Sequence, residues 1–208
     1  MGYDFNPSTL LNDPPQRVSG YCIFVDIVGS TALKAAPITQ WAGWFHNTFI
    51  NAVSELGWNH GPLKIIGDCA MFFIEHGKVN ALQLYERLYK LAAEPDDRVY
   101  RSVKIAACSC SEAFYLTFER DRKDVYGQDI DLTHRLLGLA EEREIVMNER
   151  FVLDVKEAHS KIGDKAAHPE VDCIFGPWPQ RIKGFDKPVP IFKTVVPSLP
   201  EGRWVSQK

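Results

Sequence analysis

The sequence predicts an α+β fold, a ferredoxin-like βαββαβ sandwich in which helices pack on an antiparallel sheet. Three observations support this prediction. Short apolar runs rich in β-forming residues alternate with segments whose apolar residues recur at helical spacing. Their order along the chain is strand, helix, two strands, helix and strand, followed by further elements. With 208 residues, 45% of them hydrophobic, the chain is long enough for one domain with a substantial core.

The elements of the first half are predicted from apolar spacing and from turn residues. They are a buried strand at 20–28, a helix between Pro37 and Gly57, a hairpin with strands ending at 66 and starting at 70, and a helix at about 79–93 that ends before Pro95. The hairpin turn is predicted at Gly67 and Asp68.

The second half is predicted in the same way. Its elements are strands at 102–110 and 112–118, a charged loop at 120–131 entering a helix at about 130–140, a strand at 144–148, a helix capped by Asn148, and turns with a last strand at 177–196. Residues 1–17 are predicted as an N-terminal arm, residues 18–196 as one domain, and residues 197–208 as a C-terminal tail.

Composition argues against several classes of protein. The net charge of −3 gives no sign of general nucleic-acid binding, and the longest apolar runs are far too short to span a membrane. The five cysteines are an odd number and are scattered along the chain, so we expect reduced core thiols and a cytoplasmic location. Neither nucleic acid nor a membrane is therefore expected among the partners.

The stretch FVDIVGSTAL (24–33) places a carboxylate at the end of a buried strand. An unpaired carboxylate is costly there, so Asp26 needs a cation, a backbone-amide cap or a metal ion. Asp68 lies in the predicted hairpin turn, where Gly-Asp is also ordinary turn chemistry. In an antiparallel sheet the two positions can lie side by side, and adjacent carboxylates repel unless divalent ions lie between them. The pair predicts a site for Mg²⁺ or Mn²⁺, which prefer oxygen ligands and phosphates.

The residues that follow Asp26 give a second signal. Val28, Gly29, Ser30 and Thr31 supply backbone N–H groups before a helix, an arrangement that binds phosphate oxygens. No Gly-Lys-Ser/Thr follows, so the turn is not a Walker A loop. Taken alone, it is better explained as an ordinary capped turn.

Four motifs in register resemble those of the class III nucleotidyl cyclase domain over about residues 20–195. They are FVDIVGSTAL, KIIGDCAMFF, VYGQDIDLTHRL and RIKGFDKPVPIF. The family shows F-x-D-x-x-G-F/S-T-x-L, K-x-x-G-D, D-x-x-G-x-x-V-N-x-x-x-R and a late K-G. Each motif is weak alone, but four in order are specific. The resemblance implies the class III form of the sandwich, with the active site at a head-to-tail homodimer interface.

The resemblance also implies a role for each matching position. Asp26 and Asp68, helped by the Ile27 carbonyl, would hold two divalent ions per site, Mn²⁺ or Mg²⁺. Arg135 would complete the catalytic residues by stabilising the transition state. The positions implied to contact substrate are Phe24, the phosphate-binding turn Val28, Gly29, Ser30 and Thr31, the base readers Lys64 and Asp124, the ribose position Asp131, and Lys183 at the terminal phosphate. In the family, the metal aspartates come from one subunit and the base readers, arginine and lysine come from the other.

Asp131 departs from the family pattern, which has an asparagine that orients the ribose. An ionised aspartate accepts hydrogen bonds but cannot donate them, so we expect the nucleoside to be held differently. In its lone-domain architecture, with an arm before Tyr21 and a short tail, the chain resembles the bacterial pyrimidine cyclases of the Pycsar anti-phage systems, whose cyclic UMP or cyclic CMP activates a separate effector. The leading interpretation is a cyclase of UTP or CTP, with UTP favoured.

Other interpretations stay open at this point. Lys64 and Asp124 match the adenine-reading pair of adenylate cyclases, so cyclic AMP formation from ATP is the alternative. Aromatic residues of the first helix, such as Trp44 and Phe45, would fill the space around a smaller base, although most of them are predicted as core. A degenerate domain that only binds nucleotide is disfavoured because all three catalytic residues are present. A polymerase-like palm is disfavoured because the chain has no room for fingers and thumb.

Overall fold

The computed structural model describes residues 14–57, 64–94, 99–119, 122–162 and 168–197. The predicted arm up to residue 13 and the predicted tail from residue 198 lie outside the described residues. The elements are β1 (Gln16–Ile27), α1 (Ser30–Leu33), α2 (Ile38–Leu56), β2 (Lys64–Ile66), β3 (Cys69–Glu75), α3 (Ala81–Ala93), β4 (Val103–Glu119), β5 (Arg122–Tyr126), α4 (Gln128–Leu137), β6 (Glu144–Asn148), α5 (Glu149–Ile162), a 3-10 turn (Val171–Cys173), β7 (Phe175–Gln180) and β8 (Val189–Val195).

The strands form one sheet in the order β2-β3-β1-β4-β6-β8-β7, with β5 paired to β4. Neighbouring strands are antiparallel except β4 and β6, which are parallel. The strands β2-β3-β1-β4, with α2 leading from β1 to β2 and α3 leading from β3 to β4, form the predicted βαββαβ core. The predicted α+β, ferredoxin-like fold class is confirmed.

Side chains that alternate along β1 divide the sheet into two faces. Val25 and Ile27 belong to the larger core cluster, which also contains the apolar sides of α2, α3 and α5. Cys22 and Phe24 belong to a second cluster that contains the buried side of α4. Because the side-chain period of a strand is two residues, Asp26 continues the second series and lies on the α4 face.

Most predicted elements agree with the structure. The helix between Pro37 and Gly57, the hairpin around Asp68, the second helix and the strand at 144–148 all occur where the sequence predicts them. The five cysteines are free thiols, as predicted. No helix in the described part of the chain has the length and apolar character needed to cross a membrane.

Four predicted elements were wrong in extent or type. β1 starts at Gln16, inside the segment predicted as an arm, and the two strands predicted at 102–118 are the single strand β4. The charged loop predicted at 120–131 contains β5 and the start of α4, and the segment 177–196 contains parts of two strands. The sequence RKDVY lacks apolar alternation because β5 pairs only with β4, and charged residues are typical of such edge strands.

Asn148 is a buried helix cap that also joins two strands. Its Oδ1 accepts hydrogen bonds from the amides of Phe151 (3.0 Å) and Ser109 (3.1 Å), and its Nδ2 donates to the Ser109 carbonyl (3.1 Å). Asn80, by contrast, is an exposed cap whose Oδ1 accepts one bond, from the Leu82 amide at 2.9 Å. The two asparagines therefore form a matched pair for measuring what the buried contacts contribute.

We predict that Asn148→Ala lowers the free energy of unfolding by about 3 kcal/mol, because it removes a cap and leaves buried backbone groups of β4 unpaired. Asn80→Ala removes only an exposed cap and should cost about 1 kcal/mol. Thermal unfolding of both variants beside the wild type measures the difference, with a shift of roughly 2–4 °C per kcal/mol. Equal losses in the two variants would contradict this account of Asn148.

Candidate active site

Asp26 and Asp68 are neighbours at one end of the sheet. Asp26 is opposite Cys69 in the β1–β3 register, and Asp68 immediately precedes Cys69 in the turn between β2 and β3. The Ile27 amide donates a hydrogen bond to the Asp68 carbonyl at 3.2 Å, which fixes the strand end against the turn. Both side chains are partly shielded from solvent, with 16% of the Asp26 side chain and 30% of the Asp68 side chain exposed.

Each of the two carboxylates contacts a lysine. Lys104 lies directly opposite Asp26 in the β1–β4 register, and its Nζ is 3.2 Å from Asp26 Oδ2. Lys34 Nζ lies 3.8 Å from Asp68 Oδ1, and the Ser30 hydroxyl donates to the other Asp68 oxygen. In this arrangement the acidic pair is held by cations and by a hydroxyl donor, which is the environment that two adjacent carboxylates require.

The pKa of the Asp26 carboxyl is raised, chiefly because the group is partly buried. Burial raises the pKa of the Asp26 carboxyl, the hydrogen bond and charge of Lys104 lower it, and the charge of Asp68 raises it. Burial, followed by the charges of Asp26 and Asp68, raises the pKa of the Cys69 thiol to about 12. Cys69 therefore stays protonated at neutral pH, so the two carboxylates are the anionic ligands that this corner offers to a metal ion.

A cleft of about 620 Å³ opens beside the acidic pair. It is lined by Asp26, Asp68 and Lys104, by the turn residues 27–32, and by residues 140–142 that follow α4. Gly29 has φ 67°, a left-handed conformation that glycine adopts without strain and that turns the chain from β1 into α1. The turn and the two carboxylates are therefore reached from one opening.

The turn has fewer free amides than the sequence predicted. The Val28 amide already donates to the Ser102 carbonyl at 3.0 Å, so it is not available to a phosphate. No described residue accepts a hydrogen bond from the amides of Gly29, Ser30 and Thr31, as expected at the start of a helix. Within the predicted phosphate-binding turn, residues 29–31 are therefore the ones whose amides remain available as donors.

Lys64 and Asp124, the predicted base readers, are in direct contact. Lys64 Nζ lies 2.9 Å from both carboxylate oxygens of Asp124, and Asp124 Oδ1 also accepts a bond from the Val125 amide at 2.8 Å. Lys64 pairs with Met71, which belongs to the cluster beneath α4, so it lies on the same face of the sheet as Asp26. The structure thus brings β2 and β5 together at one polar pair.

A tyrosine borders this polar pair. The Lys64 ammonium lies 5.5 Å from the ring centroid of Tyr126, and burial together with the hydrogen bond and charge of Asp124 raises the pKa of the Tyr126 hydroxyl. The sequence analysis missed this residue. Its spacing, two residues after Asp124 on the same strand face, would have pointed to it had the segment been recognised as a strand.

Arg135 lies near the turn that carries Lys183, and neither residue lines the cleft beside the acidic pair. Arg135 and Lys183 are both exposed. The Arg135 guanidinium approaches Gly184, with Nη2 3.8 Å from the point where a Cβ atom would lie on that residue. The turn that carries Lys183 precedes β8, and β8 runs from there towards the end of the sheet that holds Asp26. Neither side chain is among the described residues that line the cleft. Within one chain, the structure therefore separates the predicted metal-binding residues from the predicted transition-state residues.

Two other predicted contacts lie elsewhere. Phe24 is only 3% exposed and packs beneath α4, with its ring centroid 5.4 Å from that of His134. Asp131 is exposed in the first turn of α4. Their roles in substrate binding stay predictions, and Phe24 would act from beneath the surface, by packing behind Asp26.

Lys104 is a second functional candidate, after Tyr126, that was not predicted from the sequence. It is the one charged residue in the run SVKIAACSC, and the register places it against Asp26 on the α4 face. A single lysine inside an otherwise apolar and small-residue strand was the available signal, because a buried ammonium needs an anionic partner. The cleft therefore contains a cation contributed by the chain itself.

The comparisons with known proteins concern the fold. No protein-family model matches the chain, and no curated protein matches its sequence. Among solved structures, the adenylyl cyclase CyaB from P. aeruginosa is 19% identical with a TM-score of 0.64, covering 88% of this chain and 96% of its own. The guanylate cyclase domain of RhGC from Catenaria anguillulae, solved in complex with GTP, is 11% identical with a TM-score of 0.66, covering 87% and 98%. An adenylate cyclase structure from Trypanosoma brucei, in its monomeric state, is 15% identical with a TM-score of 0.65, covering 89% and 93%.

These similarities extend over nearly the whole length of each matched chain. The chain therefore has the mixed α+β fold of class III cyclase catalytic domains. At identities below 20%, the likeness establishes the architecture, and the chemistry has to be argued from the residues of this chain.

We predict that Asp26→Asn leaves the metal-free protein nearly as stable as the wild type. The amide removes a charge that both burial and the neighbouring Asp68 carboxylate disfavour. The expected change in unfolding temperature in metal-free buffer is less than about 3 °C.

Glu144→Gln is the matched control. Glu144 Oε2 accepts bonds from Lys193 Nζ (2.8 Å) and from the Glu141 amide (3.0 Å), so this ion pair serves structure alone. Its loss should cost about 3 kcal/mol and lower the unfolding temperature by roughly 6–12 °C. If Asp26→Asn destabilised the chain as much as Glu144→Gln, Asp26 would be a structural residue.

Proposed function

We propose that this protein is a nucleotidyl cyclase that converts UTP or CTP into the 3′,5′-cyclic nucleotide and pyrophosphate. The observation that carries the proposal is the adjacent pair Asp26 and Asp68, at a cleft whose rim offers free backbone amides, in the fold of class III cyclases. Two adjacent carboxylates repel each other, and a bound divalent ion would offset that repulsion more strongly than the two lysine contacts of the free chain.

Divalent ions fit the acidic pair. Asp26 and Asp68 converge from two segments, and each already contacts a lysine ammonium, so the corner selects cations. The backbone carbonyl of Ile27, the residue after Asp26, would provide a third oxygen ligand. Bound Mg²⁺ or Mn²⁺, two per site in this proposal, would lower the pKa of the attacking 3′-hydroxyl and neutralise phosphate charge.

The chain's own residues supply the other parts of the reaction. The free amides of Gly29, Ser30 and Thr31 would donate to the β- and γ-phosphates, and Lys104 would exchange its contact with Asp26 for a phosphate oxygen. Arg135 would stabilise charge that develops on the α-phosphate. The 3′-hydroxyl attacks the α-phosphorus of the same nucleotide, the bond to the β-phosphate oxygen breaks, and pyrophosphate leaves. Lys183 would hold its terminal phosphate.

Two copies of the chain are needed for this arrangement. Lys64, Asp124, Arg135 and Lys183 do not line the cleft of their own chain, so a second copy would present them to the acidic pair. A head-to-tail homodimer, related by twofold symmetry, would complete two such sites. Support comes from the exposed polar residues around Arg135 and from the exposed Ile65 and Ile66 beside Lys64, which suit burial against a partner.

The preference for a pyrimidine rests on the surroundings of Lys64. Phe45 and Phe49, aromatics of α2, lie in the core on the far side of the sheet, so they cannot narrow the base site. Tyr126 instead lies against the Lys64 ammonium and would take up the space that a purine's second ring needs. The Lys64 ammonium can donate to a pyrimidine carbonyl, and Asp131 would accept from the ribose.

ATP cyclisation is the second candidate. The contact between Lys64 and Asp124 favours it, because the two residues match the adenine-reading pair of adenylate cyclases. If the substrate is a pyrimidine nucleotide, the protein would be a cytoplasmic second-messenger enzyme in bacterial anti-phage defence. A separate effector would sense its product. That role rests on the resemblance of the chain as a whole to the Pycsar cyclases.

Turnover of the four NTPs with Mn²⁺, followed by chromatography of the products, tests the substrate. We predict cyclic UMP or cyclic CMP from the wild type, and a relative gain of about tenfold in purine turnover in Tyr126→Ala, because the ring no longer fills the pocket. Phe175→Ala, which removes an exposed aromatic on β7, is the control and should leave the preference unchanged. Product from ATP alone would refute the pyrimidine proposal and favour the adenylate cyclase.

Mixing two inactive variants tests the shared site. Asp26→Asn and Arg135→Ala are each expected to lose nearly all activity, whereas an equimolar mixture should recover about a quarter of the wild-type rate. Half of the dimers in the mixture are then heterodimers, and each contains one intact site. A mixture as inactive as its components would place both residues in a site within one chain.

A further inference from the structure

A second group of metal-ligating side chains lies on the opposite face of the sheet from Asp26. Glu86 belongs to α3, and His168 and Glu170 lie just before the 3-10 turn. One ligand atom from each of the three residues lies within 4.8 Å of the others. The helices α3 and α5 pack on the face of the larger core cluster, so the sheet separates this group from the proposed catalytic centre.

Both carboxylates converge on a single imidazole nitrogen. His168 Nδ1 lies 2.5 Å from Glu86 Oε1 and 3.4 Å from Glu170 Oε1. This nitrogen carries at most one proton, so it can donate one well-aligned hydrogen bond and leaves the second carboxylate without a donor from it. A divalent cation bound to all three atoms would neutralise both carboxylates at once.

The distances from His168 Nδ1 to the two carboxylates are close to those that a transition metal requires. Zn²⁺ with ligands at about 2.0–2.1 Å in tetrahedral geometry has neighbouring ligand atoms about 3.4 Å apart, which is the separation already present between His168 and Glu170. Glu86 would have to retreat by less than about 1 Å. A ligand set of one imidazole and two carboxylates favours Zn²⁺ and similar first-row transition metals, whereas the oxygen ligands of Asp26 and Asp68 suit Mg²⁺ or Mn²⁺.

The group is shielded and held by its surroundings. Only 18% of the His168 and Glu170 side chains and 32% of the Glu86 side chain are exposed. The Glu170 carbonyl accepts a bond from the fully buried hydroxyl of Tyr85 at 2.8 Å, and the His168 carbonyl accepts one from the Val171 amide at 3.0 Å.

Two further features concern the His168 ring. Its Nε2 is buried and has no hydrogen-bond partner among the described residues. The ring of His159, from α5, stands edge-on to it with 5.5 Å between ring centroids. A hydrogen-bonded ion pair between Glu86 and His168 does not account for the approach of Glu170 to the same nitrogen, whereas a bound ion does.

We propose that Glu86, His168 and Glu170 form a binding site for one Zn²⁺-like ion per chain, separate from the catalytic centre. The ion would join α3 to the segment between α5 and β7. Its role in this proposal is structural, because the site lies away from the cleft and its ligands come from elements that hold the core together.

Titration of the metal-free full chain with Zn²⁺ tests the proposal, by calorimetry and by dialysis with elemental analysis. The Asp26→Asn/Asp68→Asn variant is used so that the acidic pair does not contribute. We expect one Zn²⁺ per chain in this background, with a rise in unfolding temperature of roughly 5–10 °C at a hundredfold excess over Kd. Co²⁺ in place of Zn²⁺ should give the visible absorption of a tetrahedral site.

Glu170→Gln and His168→Gln, added to the same background, should each weaken Zn²⁺ binding by more than about 100-fold, since losing a ligand costs more than losing an outer-shell partner. Glu157→Gln changes an exposed glutamate of α5 that pairs with Lys161 at 2.7 Å, and it should leave Zn²⁺ binding unchanged. Glu86→Gln, which keeps the side-chain volume, replaces His168→Gln if the latter does not fold.

Failure to bind Zn²⁺ in the double-variant background, or binding that survives Glu170→Gln and Glu86→Gln, would overturn the proposal. Either result would identify His168 as the centre of an ion pair. Neither result bears on the cyclase proposal, which is tested with Asp26 intact.

Discussion

The structure depends on the repulsion between two carboxylates that the strand register holds together at one end of the sheet. The register of β1 with β3 holds Asp26 beside the turn that carries Asp68, and the bond from the Ile27 amide to the Asp68 carbonyl keeps the two segments together. Two carboxylates fixed in this way need positive charge. In the chain itself, Lys104 and Lys34 provide it, and the proposed function replaces those contacts with divalent ions and a triphosphate.

The two faces of the sheet divide stability from function. One face is covered by α2, α3 and α5 and carries the larger core, whereas the α4 face carries a smaller core and leaves its margins polar. Asp26, Lys64 and Lys104 all lie on the α4 face. In the proposed function, the sheet would hold Asp26 and Lys104 in place, and a second copy of the chain would supply Lys64, Arg135 and Lys183.

The sequence allowed much of the fold to be predicted, because the relevant signals are local. Apolar alternation, Pro37, Gly57 and the cap Asn148 mark elements without knowledge of their neighbours. β5 was missed because an edge strand is stabilised by pairing with β4, and its charged residues carry no apolar pattern. The adjacency of Asp26 and Asp68 was inferred from strand ends, but the loss of the Val28 amide to Ser102 and the contact of Lys104 with Asp26 are tertiary facts. The cluster around His168 could not be predicted either, because Glu86 lies about 80 residues before His168 and Glu170 in the chain.

The central claim is that Asp26 and Asp68 act on the same cation. Mn²⁺ affinity measured for the wild type, Asp26→Asn, Asp68→Asn and the double variant tests it, all in a Glu170→Gln background so that the His168 cluster does not contribute. If the carboxylates share ions, each single substitution should remove most of the affinity and the double variant should lose little more, with a coupling energy of at least about 1 kcal/mol. Additive losses, or single variants that bind Mn²⁺ as tightly as the wild type, would contradict the account.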